Sequence, residues 1–102
     1  MEILAFVAFV PAEKGGRLRP PASGYRSTVW FGSTADDGEE TLRDFEFDFP
    51  GSGGDDTIVF DREVAVVMRP VDGDDLDGVL AVAGQRFEVR EGFRTVGVGH
   101  VR

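Results

Sequence analysis

The stretch Leu42–Phe49 alternates between phenylalanine and carboxylate residues with a period of two. The phenylalanines are Phe45, Phe47 and Phe49, and the carboxylates before them are Asp44, Glu46 and Asp48. Successive side chains of a β-strand point to opposite faces, so this period places three rings on one face and three carboxylates on the other. The stretch therefore predicts a half-buried strand.

Short apolar runs separated by Gly, Pro and Asp continue along the whole chain, and no stretch keeps a helical period. Further strands are predicted at Glu2–Val10, Arg26–Gly32, Thr57–Phe60, Glu63–Arg69, Val79–Ala83, Arg86–Arg90 and Arg94–Val101. The connections are a long loop at Pro11–Gly24 and turns at Ala35–Glu40, Pro50–Asp56 and Asp72–Gly78. Many short strands with frequent turns predict an all-β fold, a small barrel or sandwich.

The first and last predicted strands carry additional information. Glu2–Val10 is apolar on both faces, which predicts a central strand. In Arg94–Val101, Val96 and Val98 are expected on one face and Gly97 and Gly99 on the other. Glycines at alternate positions allow another backbone or a bulky ring to approach closely.

The composition indicates one globular domain over residues 1–102, with 41% hydrophobic residues and no cysteine. Without thiols the fold needs no disulfide, and a cytoplasmic location is expected. The apolar run Ile3–Val10 is far shorter than the roughly 20 residues of a membrane-spanning helix, so no membrane partner is predicted. The chain runs from Met1 to Arg102 without a tag, and we expect a natural small protein.

The net charge of −8 is unevenly distributed. Residues 36–77 contain fifteen acidic residues against three arginines, whereas residues 1–35 and 78–102 each contain four basic residues against two acidic ones. A strongly acidic protein repels nucleic acid at long range. Here the repulsion comes from the middle of the chain, and its two ends are mildly basic.

Familiar catalytic and cofactor motifs are not matched, and we predict no enzyme, no cofactor and no metal site. The only lysine, Lys14, precedes its glycines, so a phosphate-binding loop for GTP or ATP is not formed. The only histidine, His100, lies in a predicted strand, and no serine has a nucleophile-elbow context. The acidic turn Asp72–Gly78 does not have the spacing of an EF-hand loop, although weak binding of a divalent ion there stays open.

Two segments resemble a known domain. The first is Glu13-Lys14-Gly15-Gly16-Arg17, then Pro20, then Ser23-Gly24-Tyr25-Arg26, leading to Trp30-Phe31. The second is Gly84-Gln85-Arg86-Phe87-Glu88-Val89-Arg90-Glu91-Gly92-Phe93-Arg94-Thr95-Val96-Gly97-Val98-Gly99. Together they are similar to the loop, second strand and closing hairpin of the third domain of translation elongation factor Tu, and they cover about half of the chain.

The resemblance implies a closed antiparallel β-barrel of about six strands. In that family the barrel packs on the second domain, helps to hold the T-stem backbone of aminoacyl-tRNA and contacts the exchange factor Ts. The GTPase chemistry belongs to another domain, so the resemblance implies no catalysis here. Candidate contact residues for a protein or RNA partner are Lys14, Gly15, Gly16, Arg17, Arg19, Arg90, Gly92, Phe93 and Arg94.

The chain departs from the family pattern at two places. Leu18-Arg19 replaces a polar pair, and Phe93 replaces the second glycine of the closing hairpin. A phenyl ring obstructs a backbone that would approach phosphate, whereas an exposed Phe93 suits a protein contact. The alternative for Phe93 is a ring folded back over the barrel end, and Tyr25 and Trp30 are expected to be core or barrel-end aromatics.

Three functional hypotheses follow. The first is a protein-interaction module, which binds a translation-related partner or mimics the third domain of elongation factor Tu. The second is a weak binder of aminoacyl-tRNA or other RNA, which requires the basic residues Lys14, Arg17, Arg19, Arg90 and Arg94 to cluster on one face. The third and weakest is an enzyme on a barrel scaffold, because fold does not determine function.

Overall fold

A computed structural model of the chain describes residues 2–33, 40–50, 58–71 and 83–102. These residues form six strands: β1 (Ile3–Phe9), β2 (Tyr25–Ser33), β3 (Glu40–Asp48), β4 (Glu63–Pro70), β5 (Arg86–Glu91) and β6 (Arg94–Val101). A 3-10 helix covers Ala12–Lys14. Within these ranges no helix is long and apolar enough to cross a membrane.

The strands close into an antiparallel barrel in the order β1-β4-β3-β2-β5-β6. Each strand is hydrogen-bonded to two neighbours, and β6 returns to β1 through pairs such as Val7 with Gly99. Closure leaves the described strands without a free sheet edge, which removes the usual template for edge-to-edge aggregation. The predicted all-β class and the closed barrel of six antiparallel strands are confirmed.

Six of the predicted strands are observed, and each of their ends lies within two residues of the predicted end. The strand predicted at Thr57–Phe60 is wrong where it is described, because Ile58 and Val59 are unpaired and Phe60 enters a turn. That turn contains Asp61, whose φ of 64° interrupts extended backbone.

Other predicted connections lie mainly outside the described residues. This holds for the turn Asp72–Gly78, for residues 79–82 of the strand Val79–Ala83, for residues 35–39 of the turn Ala35–Glu40 and for residues 51–56 of the turn Pro50–Asp56. Of the remainder, Ala83 and Pro50 lie in turns, and Glu40 begins β3. The expectation that Ala83 belongs to a strand is therefore wrong.

The interior of the barrel is filled from one face of each strand. Phe45 and Phe47 are completely buried and Phe49 is 3% exposed, while the carboxylates between them lie outside, as predicted. In β1, alternate residues from Ile3 to Phe9 point inward, and Leu4 on the outer face is 47% exposed. β1 pairs with β4 and β6, but in a closed barrel every strand has two neighbours, so the predicted central position does not distinguish it, and only one of its apolar faces is buried.

Valines Val96 and Val98 do not share a face, which corrects the expectation from alternation. The register shifts between Val89 and Arg90 of β5, where Val89 pairs with Gly97 but Arg90 pairs with Thr95. This bulge inserts Val96 as an extra residue into β6 and reverses the alternation there. Val96 is therefore buried completely, whereas Val98 is 49% exposed.

Glycines Gly97 and Gly99 do allow close approach, as predicted. A Cβ atom added at Gly97 would lie 3.1 Å from Cδ1 of Phe9. One added at Gly99 would lie 2.3 Å from the carbonyl oxygen of Phe6 and 2.6 Å from Cζ of Phe87. These distances show that the rings of β1 and β5 occupy the space beside β6 that side chains would otherwise take.

Replacing Gly99 by alanine should destabilise the barrel by about 1–3 kcal/mol, because both the Phe6 backbone and the Phe87 ring would have to move. Urea unfolding followed by the fluorescence of Trp30, the single tryptophan, measures this. Gly97→Ala is the matched control in the same strand and should cost less, since its closest contacts are side chains at 3.1 and 3.3 Å. Wild-type stability of Gly99→Ala would contradict the packing described.

Candidate functional site

The loop between β1 and β2 folds back onto the end of β1. The backbone N–H of Arg17 donates to the carbonyl of Val10 at 2.8 Å, and that of Gly16 donates to the carbonyl of Pro11 at 2.9 Å. Gly15 has a φ of 90°, which favours glycine. Gly16 is needed for space, because a Cβ atom there would lie 1.8 Å from the Val10 carbonyl oxygen. The two glycines therefore form a tight turn within the loop.

Strands β5 and β6 are joined by a two-residue loop at Gly92 and Phe93. Glu91 pairs with Arg94 across the hairpin, and Gly92 has a φ of 63°. Glycine at the first loop position meets the requirement of a type II′ turn, whose second residue keeps a negative φ. Among the described residues other than glycine, positive φ occurs at Asp61 alone, so a phenylalanine fits at the second position without backbone strain.

A single carboxylate, that of Glu91, joins the loop, β2 and the hairpin. Its Oε2 atom accepts hydrogen bonds from Nη1 of Arg17 and from the hydroxyl of Tyr25, the latter at 2.5 Å. Its Oε1 atom lies 3.7 Å from Nη2 of Arg94. Arg94 also approaches the Gly16 carbonyl, at 3.4 Å from Nη1. The side chains of Arg17 and Glu91 are only about a quarter exposed, so their attraction is weakly screened.

The ring of Tyr25 connects this ionic cluster to the core. It packs against Phe9 and Phe47 with centroid separations of 6.1 and 5.5 Å, and the guanidinium of Arg17 lies 4.7 Å above it. Tyr25 is thus a barrel-end aromatic, as predicted. Trp30, in contrast, lies on the outer wall under the guanidinium of Arg90, at 4.6 Å from its ring centroid.

The environment shifts the pKa of both hydrogen-bonded partners in the cluster. Burial, followed by the hydrogen bond to the Glu91 carboxylate, raises the pKa of Tyr25 to about 12. Burial also acts to raise the pKa of Glu91, but the hydrogen bonds from Tyr25 and Arg17 and the charges of Arg17 and Arg94 outweigh it. The net pKa of Glu91 therefore lies below its usual value, and both groups keep one protonation state around neutral pH.

Two large apolar side chains are exposed beside this cluster. Phe93 is fully exposed, and Leu18 is 88% exposed. The expectation that the Phe93 ring folds back over the barrel is therefore not met. We call this surface, formed by residues 10–24 and 91–94, the hairpin end of the barrel. It combines exposed apolar groups with a fixed network of charged ones.

The structure brings together some of the predicted contact residues and separates others. Arg17 and Arg94 meet at Glu91, with Gly16 and Gly92 beside them. Lys14 is paired with Asp61 at 3.0 Å, and Arg90 lies on Trp30 and is 3.3 Å from Glu88. The arginines of the β5–β6 hairpin do not share one carboxylate: Arg90 contacts Glu88 and Arg94 turns to Glu91. Arg86 has no ion pair in the described ranges.

Sequence reasoning missed the two residues that organise this end. Glu91 and Tyr25 lie within the motifs, but no pattern indicates that residues 66 positions apart share a hydrogen bond. Asp61 was also missed, although it holds the loop between β1 and β2 in place. Its side chain pairs with Lys14, and its backbone N–H donates to the Phe9 carbonyl at 2.9 Å.

A separate groove of about 570 Å³ lies on the outer wall of β1, β2, β4, β5 and β6. Its lining includes Trp30, Val98, and the pair of His100 and Glu63, whose Nδ1 and Oε1 atoms are 3.3 Å apart. The His100 ring also lies 5.6 Å from that of Phe6, so the histidine packs as an ordinary outer-wall residue. Compared with models of known protein families, the chain has no match.

The titration of Tyr25 tests the cluster directly, because the chain contains one tyrosine. Tyrosinate absorbance should give a midpoint near pH 12. In Glu91→Gln the midpoint should fall but stay above 10, since burial, the largest cause, remains. The folded-state pKa of Tyr25 is raised above its unfolded value, so the contribution of the protonated Tyr25 to stability is complete below pH 10. It is lost as the pH rises from 10 to 12. A wild-type midpoint near 10, with circular dichroism still showing folded protein, would contradict the geometry.

Removing the Glu91 carboxylate should destabilise the protein at neutral pH. Glu91→Gln leaves the partly buried Arg17 without its counter-charge, at a cost of about 1–3 kcal/mol. Because the folded-state pKa of Glu91 is lowered, its contribution is present above its unfolded pKa and is lost as the pH falls through the folded value. The stability difference between wild type and variant, measured by urea unfolding, should therefore shrink on acidification.

The matched control for this measurement is Glu46→Gln. Glu46 pairs with Arg26 at 3.0 Å on the outer wall, where the arginine side chain is 64% exposed. Exposed pairs contribute roughly 0.2–1 kcal/mol, so this variant should change stability little. Equal effects of the two substitutions at neutral pH would show that Glu91 is not the organising residue proposed here.

Proposed function

We propose that this chain is a non-catalytic, cytoplasmic interaction module of the kind found as the third domain of elongation factor Tu, and that it binds a translation-related protein. The observation that carries the proposal is the fully exposed Phe93 ring at the tip of a hairpin held by Glu91. Large aromatic side chains lose little conformational entropy on binding, and aromatic residues and arginine are enriched in the cores of protein interfaces.

The position of the motif residues supports this proposal. The Gly-Gly-Arg turn and the closing hairpin are 74 residues apart in the chain, yet Arg17 of the first bonds Glu91 of the second. The segments that resemble the elongation factor domain thus form one surface.

A non-catalytic role is consistent with the chemistry of the hairpin end. General acid–base catalysis is most efficient when a group titrates near the working pH. Here the pKa of Tyr25 is raised to about 12 and that of Glu91 is lowered, so neither group exchanges protons readily near neutrality.

The alternative function, weak binding of aminoacyl-tRNA or other RNA, has less support. It requires Lys14, Arg17, Arg19, Arg90 and Arg94 to offer their charges on one face. Lys14 and Arg17 are already paired with carboxylates, and Arg90 lies on the wall beside Glu88. A phosphate would have to displace those carboxylates while approaching a chain with a net charge of −8.

The exchange factor Ts is a suitable first probe, because it contacts the resembling domain in elongation factor Tu. We expect the purified chain to bind it, or to compete for it with elongation factor Tu. Phe93→Ala should weaken binding at least tenfold, as expected for a central interface aromatic. Isothermal titration calorimetry or a competition assay measures the change.

Leu4→Ala is the matched control, since Leu4 is a half-exposed apolar residue on the outer wall of β1. It should leave the affinity unchanged. A panel of translation proteins replaces Ts if Ts does not bind. The proposal fails if no member binds with a Phe93-dependent affinity. Binding to RNA, with affinity falling by about 0.9 log unit per phosphate contact for each log unit of salt for duplex RNA, would favour the alternative.

A further inference from the structure

Positive charge is not balanced at the hairpin end. One carboxylate, Glu91, faces two guanidinium groups, those of Arg17 and Arg94. Arg19 is exposed nearby in the chain, and in the part of the chain that the structure describes it has no ion pair. Its carbonyl oxygen instead accepts a hydrogen bond from Nε of Arg17 at 3.0 Å. At its hairpin end, a protein with a net charge of −8 therefore presents Arg19 without an ion pair in the described residues, and Arg94 with only a long contact to a carboxylate that Arg17 also uses.

Arg94 has hydrogen-bonding capacity to spare. Its contacts to Glu91 at 3.7 Å and to the Gly16 carbonyl at 3.4 Å are longer than the 2.7–3.2 Å typical of N–H···O bonds. A guanidinium has five N–H donors in a planar fork that matches a carboxylate. The Arg94 side chain is 62% exposed, so these donors can be reached from outside.

The geometry of the hairpin ties this charge to the phenyl ring. Arg94 directly follows Phe93, and the Glu91–Arg94 pair closes the two-residue loop. The backbone positions that carry the ring and the guanidinium are therefore fixed relative to each other. A partner that buries the ring also brings its own surface against Arg94 and removes water from it, which strengthens any charge-assisted hydrogen bond there.

From these observations we infer that the partner's site is a protein pocket with an apolar floor for the Phe93 ring and at least one carboxylate on its rim that pairs with Arg94, with Arg19 as a second contact. This inference rests on the proposed function. An unpaired arginine would lose its hydration in the complex without compensation, so an apolar pocket without such an acceptor fits poorly.

A cross-link at the tip identifies the residues that receive Phe93. Phe93 is replaced by the photoreactive analogue p-benzoylphenylalanine. The purified chain is then irradiated with Ts, with the panel of translation proteins and with total RNA. The cross-linked peptide is located by mass spectrometry. We expect a protein peptide whose apolar residues lie next to an aspartate or glutamate.

Charge reversal then tests the carboxylate itself. Arg94→Glu should weaken binding at least tenfold, whereas Arg94→Lys should keep most of it. Changing the mapped partner carboxylate to lysine should restore the binding of Arg94→Glu. Arg86→Glu is the matched control, because Arg86 is exposed at the start of β5, at the opposite end of the β5–β6 hairpin from Arg94, and its reversal changes the net charge equally.

The outcomes separate this inference from the proposed function. If Phe93→Ala abolishes protein binding but Arg94→Glu behaves like Arg86→Glu, or no carboxylate lies near the cross-link, the inference is wrong and the interaction module stands. If the tip cross-links only to RNA, or to nothing, both are wrong. Loss in Arg94→Glu together with rescue by the reversed partner residue is the supporting result.

Discussion

Closing one sheet on itself is the constraint from which the rest of this structure follows. A barrel of six strands has a narrow interior, and here phenylalanines from β1, β2, β3 and β5 compete for it. β6 provides the necessary space, because Gly97 and Gly99 have no side chains and the rings of Phe9 and Phe87 lie beside them. The phenylalanines of four strands and the missing side chains on β6 are thus complementary parts of one packed core.

The same closure positions the hairpin end. The bulge at Val96 allows β6 to bury one more valine before its glycines, and the Val96 carbonyl accepts the N–H of Val10 at 2.8 Å. That bond ties the end of β1, where the long loop begins, to the start of β6, where the hairpin ends. Loop and hairpin therefore meet because of how the barrel closes, and Glu91 then fixes their contact.

Fold and site differ in how far the sequence predicts them. Period-two alternation located the strands because each has one buried face, as Phe45 and Phe47 show. It predicted the wrong face for Val98, because the bulge in β6 reverses the alternation of faces and no residue in the sequence indicates that bulge. It also could not pair Glu91 with Tyr25, because a contact between distant residues depends on barrel closure, to which local patterns are blind. Asp61 was missed for the same reason, as its φ of 64° follows from the turn it closes.

The arrangement around Glu91 also explains how the hairpin end can be rigid and still available for binding. Oε2 of Glu91 takes both Arg17 and Tyr25, and these bonds hold the loop and β2 to the hairpin. Only Oε1 remains for Arg94, and it is 3.7 Å away. The Glu91 carboxylate therefore stabilises the hairpin end itself, while the Arg94 guanidinium and the adjacent Phe93 ring remain hydrated. The backbone that carries both groups is ordered on folding, so a complementary surface that pairs with them does not have to meet the cost of ordering that backbone.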